Sequence, residues 1–391
     1  MAASIIDVAK RAKVSTATVS RALRGLPNVS EVTRERVLRA AEELSYAISP
    51  HASSLASGRT GTIGVVLPFV NRWFYSQVLS GIDSVLRAND LDLLLYNLGD
   101  ARVHERFFAR MPLRRRVDAL IVLNLPLSAA ESDALVSMEV PVAVLGTRVP
   151  GCWHVSIDNA QGATTAVRHL INLGHRRIGM ITGALGDPRG FTTPIVREHA
   201  YRSVLAEAGI PYEPDLEAPG NFGIEEGASA MARLLSLPDP PTAVFAESDL
   251  MAFGALRTLT RMGLRAPDDV SVIGFDDHET AELLNLTTIA QPVTHQGELL
   301  ARQILDALSG ASEEPAEVVV PTRLVVRGTT GAARVAGPRT SRDHPGLPDR
   351  PEGAGHPDRP GHPGRAAEPP APRDGTAYDR LPDQHTRTTA R

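Results

Sequence analysis

The first 45 residues show short helical periods and no strand-like alternation. Ser4-Ile5-Ile6-Asp7 has the spacing of a capping box, in which the Ser and Asp side chains satisfy free N–H groups at a helix start. Ile5, Val8, Ala9 and Ala12 then share a face, which predicts a helix to about Ala12. Lys13-Val14-Ser15 reads as a turn. Ser15 is the cap of a second predicted helix, Thr16 to Leu23, with Val19 and Leu23 inward. Arg24 to Asn28 is a loop, and Ser30 caps a third helix, Glu31 to about Ser45, with Val37, Ala41 and Leu44 inward.

Tyr46 to Thr60 is small, polar and poor in core residues, so it reads as a linker with one marginal helical turn around Ala52–Leu55. From Thr62 short apolar runs alternate with amphipathic stretches. The runs are Ile63–Leu67, Leu91–Tyr96, Ala119–Leu123, Val142–Leu145, Ile178–Ile181, Ala243–Ala246 and Val270–Phe275. Between them lie helical patterns such as Phe74–Ala88, Ala160–Asn172, Ile195–Ala208, Glu225–Leu235 and Leu250–Met262. That alternation predicts an α/β architecture of parallel sheets with helices on both faces, doubly wound, and its length predicts two lobes. Ligands in such folds sit beyond the carboxyl ends of the strands. From about Ala333 the aliphatic period is lost, and His344 to Arg391 is rich in Pro, Gly, Arg and Asp, a composition that predicts disorder. The expected divisions are 1–46, 47–61, 62–332 and 333–391.

Charge sharpens this picture. Residues 1–60 hold nine Lys and Arg against five acids, a net +4, which leaves −8 for the remainder of a chain whose total is −4. A basic head on an acidic body suggests a polyanionic partner for the head alone. With 42% hydrophobic residues a true core is expected, and no run of about 18 apolar residues suggests a membrane span. Met1 to Lys13 lacks the apolar segment of a secretory signal, and the single cysteine, Cys152, has no partner for a disulfide or metal site. A cytoplasmic protein with no cofactor and no metal is the expectation.

A helix-turn-helix needs a second helix whose outer face can enter the major groove. Thr16 to Leu23 offers Thr16, Ala17, Thr18, Ser20 and Arg21 outward, with Arg24 just beyond and Ser15 at its start. Hydroxyls can bond phosphates, whereas Arg21 can take guanine O6 and N7 together, which discriminates by roughly 1–3 kcal/mol. A small helical bundle with an ordinary polar surface would show the same pattern.

Here the residues carry a family resemblance. The run Ile6-Asp7-Val8-Ala9-Lys10-Arg11-Ala12-Lys13-Val14-Ser15-Thr16-Ala17-Thr18-Val19-Ser20-Arg21-Ala22-Leu23 resembles the headpiece of LacI/GalR transcription regulators. Thr62-Ile63-Gly64-Val65-Val66, Val117-Asp118-Ala119-Leu120-Ile121, Leu173-Gly174-His175-Arg176-Arg177-Ile178 and Val270-Ser271-Val272-Ile273-Gly274-Phe275-Asp276-Asp277 continue it in order, from about residue 3 to 330. The resemblance implies a homodimer or tetramer on near-palindromic double-stranded DNA. It also implies a linker that folds into a hinge helix and sets Ala52 and Leu55 into the minor groove, where an apolar wedge bends the duplex. Two departures stand out: many members have Pro-Asn where this chain has Ile48-Ser49, and Arg where it has Ser53.

The body, by the same resemblance, is similar to periplasmic sugar-binding proteins, with chain crossings between lobes near 157–162, 284–292 and 318–324. Sugar recognition needs carboxylates, Arg and amides for hydroxyls, with an aromatic ring against the apolar sugar face. Family positions imply Trp73, Phe74, Asp158, Arg197, Ser248, Asp276 and Gln291 as effector contacts. Each has another reading: Trp73 as core, Arg197 paired with Glu198 or a neighbouring helix, Asp276 as a turn cap. Asp249 and Asp277 read as helix caps or braces. The function implied is a repressor whose operator affinity is set by a small sugar or sugar derivative in the cleft. A free solute-binding protein is the alternative. An enzyme is disfavoured because no nucleophile elbow, P-loop or GxGxxG followed by a helix occurs.

Overall fold

The computed structural model describes residues 3–23, 27–46, 59–187, 190–312 and 314–334. The head consists of α1 (Ile5–Ala12), α2 (Thr16–Leu23) and α3 (Glu31–Glu43). The expected capping box is formed: the Ser4 amide donates to Asp7 Oδ2 at 2.9 Å, and the Asp7 amide donates back to Ser4 Oγ. Ser15 and Ser30 likewise accept the amides of Thr18 and Thr33. Val8, Ala12, Val19 and Val37 are fully buried and form the core of this unit. Ala22 is buried where Leu23, expected inward, only packs against that core. An Arg11–Glu43 ion pair at 2.6 Å ties α1 to α3, and Arg34 Nη1 donates to the Ala22 carbonyl, tying α3 to α2.

The body contains two sheets. In chain order its elements are β1 (Thr62–Leu67), α4 (Trp73–Arg87), β2 (Asp92–Asn97), α5 (Ala101–Arg110), β3 (Ala119–Leu123), α6 (Ala129–Val136), β4 (Val142–Leu145), β5 (Trp153–Ile157), α7 (Asn159–Asn172), β6 (Ile178–Thr182) and α8 (Thr193–Glu207). There follow β7 (Glu217–Pro219), α9 (Ile224–Leu235), β8 (Ala243–Ala246), α10 (Asp249–Arg261), β9 (Ser271–Asp276), α11 (Glu279–Leu283), β10 (Thr287–Ala290), α12 (Val293–Ser309), β11 (Glu317–Val320) and β12 (Arg323–Val325).

The first sheet has strand order β11-β5-β4-β3-β1-β2, all parallel. The second has order β12-β10-β9-β8-β6-β7, parallel except for its edge strand β12. Strands such as β3 are buried along their whole length, because helices cover both faces; continuous apolar runs rather than alternation are the result. In the first lobe α4 and α12 lie over one face, and α5 and α6 over the other. In the second, α7 and α8 oppose α9 and α10.

The chain passes between lobes three times, at 157–159, 290–293 and 320–323, inside or beside the expected crossings. Two edges of the body differ from the sequence reading. The amides of Thr60 and Gly61, assigned to the linker, donate to the two carboxylate oxygens of Asp118 at 2.6 and 2.8 Å. Ala333, assigned to the tail, donates its amide to the Leu173 carbonyl, and Arg334 lies 3.6 Å from Asp269. The expectations for Arg24, Ala52, Leu55 and the rest of the tail fall outside the described residues. No described helix is long and apolar enough to cross a membrane.

Helix α12 emerges from the second lobe yet packs on the first through α4. Their approach is close enough that a Cβ on Gly297 would collide with the Val78 carbonyl oxygen, and one on Gly81 with that of Thr294. Alanine is the better helix former by up to about 1 kcal/mol, but forcing a methyl into a closed contact costs about 1–3 kcal/mol. Gly297→Ala is therefore expected to unfold at lower denaturant concentration than the wild-type chain. A gain in stability would show that the two helices part freely.

Candidate functional sites: a helical head and an interlobe cleft

The outer face of α2 presents Thr16, Ala17 and Arg21 to solvent, with Thr18 and Ser20 half-buried. Small side chains at the helix start leave its backbone approachable, and Arg21 stands one turn further along. The hydroxyls of Ser15 and Thr18 lie 2.9 Å apart, and Ser15 Oγ also accepts the Thr18 amide. Ser15 is thus first a cap, which fixes the start of the presented helix.

The second site lies between the lobes, where strand carboxyl ends of both sheets meet. A cavity of about 150 Å³ there is lined by Trp73, Phe74, Arg197, Ser248, Asp276 and Gln291, six residues implied by the family resemblance. The seventh, Asp158, does not line it: its carboxylate accepts the Gln161 amide at 2.8 Å and caps α7, while its neighbour Asn159 reaches the cavity. A helix start draws an Asp to its own amides, and the sequence alone does not separate that role from ligand binding. Ser248 serves both positions, lining the cavity while its hydroxyl accepts the Met251 amide and caps α10.

Arg197 is 3% exposed. Its Nε and Nη2 donate to Asn159 Oδ1 at 3.0 and 2.8 Å, Nη1 donates to the Glu247 backbone carbonyl, and its guanidinium lies 3.5 Å from the centre of the Phe275 ring. Among its bonds none goes to Glu198, which pairs instead with Arg202. Asp276 ends β9 with φ +127°, a backbone conformation that non-glycine residues rarely adopt. It accepts Gln291 Nε2 at 2.6 Å, and Gln291 in turn accepts Gln296 Nε2 at 3.1 Å. Asp249 braces the wall behind, accepting the Thr288 hydroxyl at 2.6 Å and the His278 amide at 2.8 Å. Asp277 is held by Arg327 at 2.7 Å.

Trp73 lines the cavity and also packs, partly buried, against the first lobe's core. Its ring borders the cavity, but its indole Nε1 donates to Glu279 at 2.5 Å and its face packs on His278, with centroids 4.5 Å apart. It joins α4 of the first lobe to α11 of the second. Sequence reasoning missed Phe69, Phe191, Phe222 and Asn124. Phe69 and Asn124 follow strands β1 and β3 directly, a position that marks ligand-facing residues in parallel sheets. Phe191 sits in an irregular stretch that offers no such cue. Cys152 is buried, which pushes its thiol up to about 11, as expected of a structural cysteine. Among the described residues no cluster of three His, Cys, Asp or Glu is arranged to hold a metal ion.

Comparison with known proteins matches the chain in both regions. A family described as "Bacterial regulatory proteins, lacI family" matches residues 4–49, and one described as "Periplasmic binding protein-like domain" matches residues 167–330. The HTH-type transcriptional repressor CytR of Escherichia coli (strain K12) is 34% identical over 347 residues, covering 85% of this chain and 97% of that one. Among solved structures, the transcriptional regulator CelR–cellobiose complex aligns with TM-score 0.61 at 33% identity, covering 84% of this chain and 99% of that one. The lac repressor dimer bound to operator and the anti-inducer ONPF aligns with TM-score 0.75 at 28% identity, covering 85% and 100%.

Burial dominates the acid–base behaviour of the cleft. It raises Asp276 from 3.8 to about 7 and Glu247 from 4.5 to about 8, with Arg197 opposing both shifts; Asp249 rises to about 6. These carboxyls keep protons in the folded chain that the unfolded chain has released. The folded state therefore binds more protons between about pH 4 and pH 8, and stability falls as pH rises through that window. Asp276→Asn removes one such step. Its midpoint in denaturant is expected to fall less steeply between about pH 5 and pH 8 than that of the wild-type chain; equal slopes would contradict the raised Asp276.

Proposed function

Since the chain belongs to the LacI family of bacterial regulatory proteins, we propose that it is a transcriptional repressor whose hold on operator DNA is set by a sugar or sugar derivative in the interlobe cleft. The observation that carries this reading is the convergence at one cavity of Arg197, Asp276 and Gln291 with aromatic walls. Two strand-end groups able to bond hydroxyl pairs, beside rings able to cover an apolar sugar face, form a polyol site. Three N–H groups of Arg197 are bonded within the protein, which leaves two of its five donors for a ligand.

On the DNA side, α2 lies in the major groove with Arg21 against base edges and Ser15, Thr16, Ala17, Thr18 and Ser20 nearest the backbone and bases. Arg24, Ala52 and Leu55 complete the contact from the loop and hinge. Two heads in a homodimer match two half-sites of a near-palindromic operator. The CelR structure holds cellobiose and the lac repressor structure holds operator as a dimer, in accord with both halves of the proposal. Coupling follows from linkage: a ligand that prefers one arrangement of the lobes shifts DNA affinity by the ratio of its affinities for the two arrangements. The reading is of a binding protein without catalysis.

The test is a mobility shift on the DNA upstream of the chain's own gene, with and without sugars. Specific retardation that a sugar alters supports the proposal, and no preference over random duplex at moderate salt refutes it. Arg21→Ala is expected to weaken operator binding about 10- to 100-fold, the loss of one bidentate base contact. The same variant should keep its sugar affinity; operator binding equal to wild type would remove Arg21 from the interface.

A further inference from the structure

Residues 101–117, helix α5 and most of the loop after it, hold six arginines and one glutamate, a net +5 within the portion of the chain that totals −8. Neither site described above uses them. Arg102, Arg106 and Arg110 recur every four residues, so they stand in line along one face of α5. Arg114, Arg115 and Arg116 follow in the loop to β3, and all six are exposed. Elsewhere in the body exposed arginines find carboxylates: Arg168 pairs with Glu207 at 2.8 Å and Arg265 with Asp268 at 3.2 Å. Among the described residues none of the six does so. Arg114 reaches the Ser137 hydroxyl at 3.4 Å and Arg116 the Tyr96 hydroxyl at 3.1 Å, both neutral partners; the other four guanidiniums bond nothing in the described residues.

The carboxylates at hand do not quench this cluster. Asp118, two residues past Arg116, spends both oxygens on the amides of Thr60 and Gly61. Asp90, Asp92 and Glu139 stand at the same end of the sheet and bond none of the six. A helix C-terminus favours a cation in its last turn, which accounts for Arg110 and for none of the others. Like charges gathered without counterions repel one another and draw polyanions. Position says which polyanion. Helix α5 runs from the carboxyl end of β2 to the amino end of β3, so Arg110 to Arg116 lie at the amino edge of the first sheet, away from the cleft. Strand β1 starts at that edge beside β3, with Ile63 opposite Ala119, and there the chain arrives from the head. From residue 46 to residue 59 a fully extended chain spans at most about 45 Å. A tether that short holds DNA gripped by the head in the neighbourhood of this edge, where a second contact gains from high effective concentration.

We propose that Arg106, Arg110, Arg114, Arg115 and Arg116 form a second DNA-contact surface, on the first lobe, which binds backbone phosphates flanking the half-site read by α2. The inference rests on the DNA-binding reading above and extends it from the head to the body. Guanidinium forks bond phosphate oxygens in pairs. Such contacts add affinity and fix orientation without reading bases.

Fluorescence anisotropy of the full-length protein tests this on two labelled duplexes of about 60 base pairs, long enough to pass both half-sites. One is the DNA upstream of the chain's own gene and the other a random sequence, each titrated across a salt series. The fourfold variant Arg110→Gln, Arg114→Gln, Arg115→Gln, Arg116→Gln is expected to make the plot of log K against log salt shallower by about 2 or more, and to weaken binding at least about tenfold near 0.1 M salt, on both duplexes. Its preference for upstream over random DNA should stay within about twofold of wild type, because base readout is untouched. Arg106→Gln with Arg110→Gln removes no hydrogen bond of the described residues; it should flatten the slope by about 1 and serves if the fourfold variant does not fold. A charge-matched control, Arg168→Gln, Arg176→Gln, Arg233→Gln, Arg261→Gln, all exposed on the second lobe, should change the slope less than half as much as the fourfold variant. Slopes equal to wild type in both first-lobe variants, or a control that flattens the slope as much, overturn the contact and leave these arginines to an acidic protein or free anions, with the repressor reading intact. No binding to either duplex at low salt overturns that reading and the contact with it.

Discussion

A guanidinium taken out of water is costly unless its surroundings replace the lost hydration, and the geometry of the cleft follows from how that cost is met at Arg197. Its partners come from separate elements: Asn159 at the start of α7, the Glu247 carbonyl after β8 and the Phe275 ring on β9. Meeting those three at once fixes the relative height of the strand ends and of α8, which carries the arginine. Burial raises the proton affinity of Asp276 and Glu247, and the charge of Arg197 opposes that rise. The cleft is therefore held in place on its second-lobe side, which is the condition for selective binding by a preformed site.

The first-lobe side is tied differently. Helix α4 begins at Trp73, which grips His278 and Glu279 of the opposite lobe, and its middle is pressed without clearance against α12. Since α12 follows a crossing from the second sheet, α4 receives contacts of second-lobe origin at both places. A change in lobe angle has to act on this helix as a body, because neither contact offers slack. With the amides of Thr60 and Gly61 bonded to Asp118 at the base of β3, the strand that feeds α4 is also the one the chain enters from the head. From the cleft to Thr60 the path is short in sequence and ends in directional bonds to Asp118.

Much of this was legible before any coordinates. The caps at Ser4, Ser15 and Ser30 and the strands β1, β3, β4, β6, β8 and β9 are written as local patterns, so their positions hold to within a residue or two. Helix α12 is hard to read from sequence because Gly297 and Gln296 interrupt its apolar face; Gly297 allows close packing against α4 and Gln296 reaches Gln291 in the cleft, tertiary demands that no local period records. Strands β5, β7, β10, β11 and β12 are short and mixed in character, and each owes its existence to neighbours in the sheets. Within the cleft, Asp276 sits at a strand end, a position that parallel sheets turn toward ligands, whereas Arg197, inside α8, is legible only from the family resemblance. Asp158 was misplaced because a residue that starts a helix at a crossing satisfies two descriptions. The tie from Trp73 to Glu279, 206 residues apart, had no trace in the sequence around either one.

The one cysteine of the chain lies under the first sheet's helices with its thiol held neutral. A thiolate is the species that attacks alkylating reagents, so Cys152 is expected to react slowly with maleimides while the fold is intact. Any cysteine engineered on the surface would then be a unique attachment point for a fluorophore, with no need to delete the natural one. The molecule is, in this sense, already a blank frame for a dye-labelled optical sensor of whatever enters its cleft.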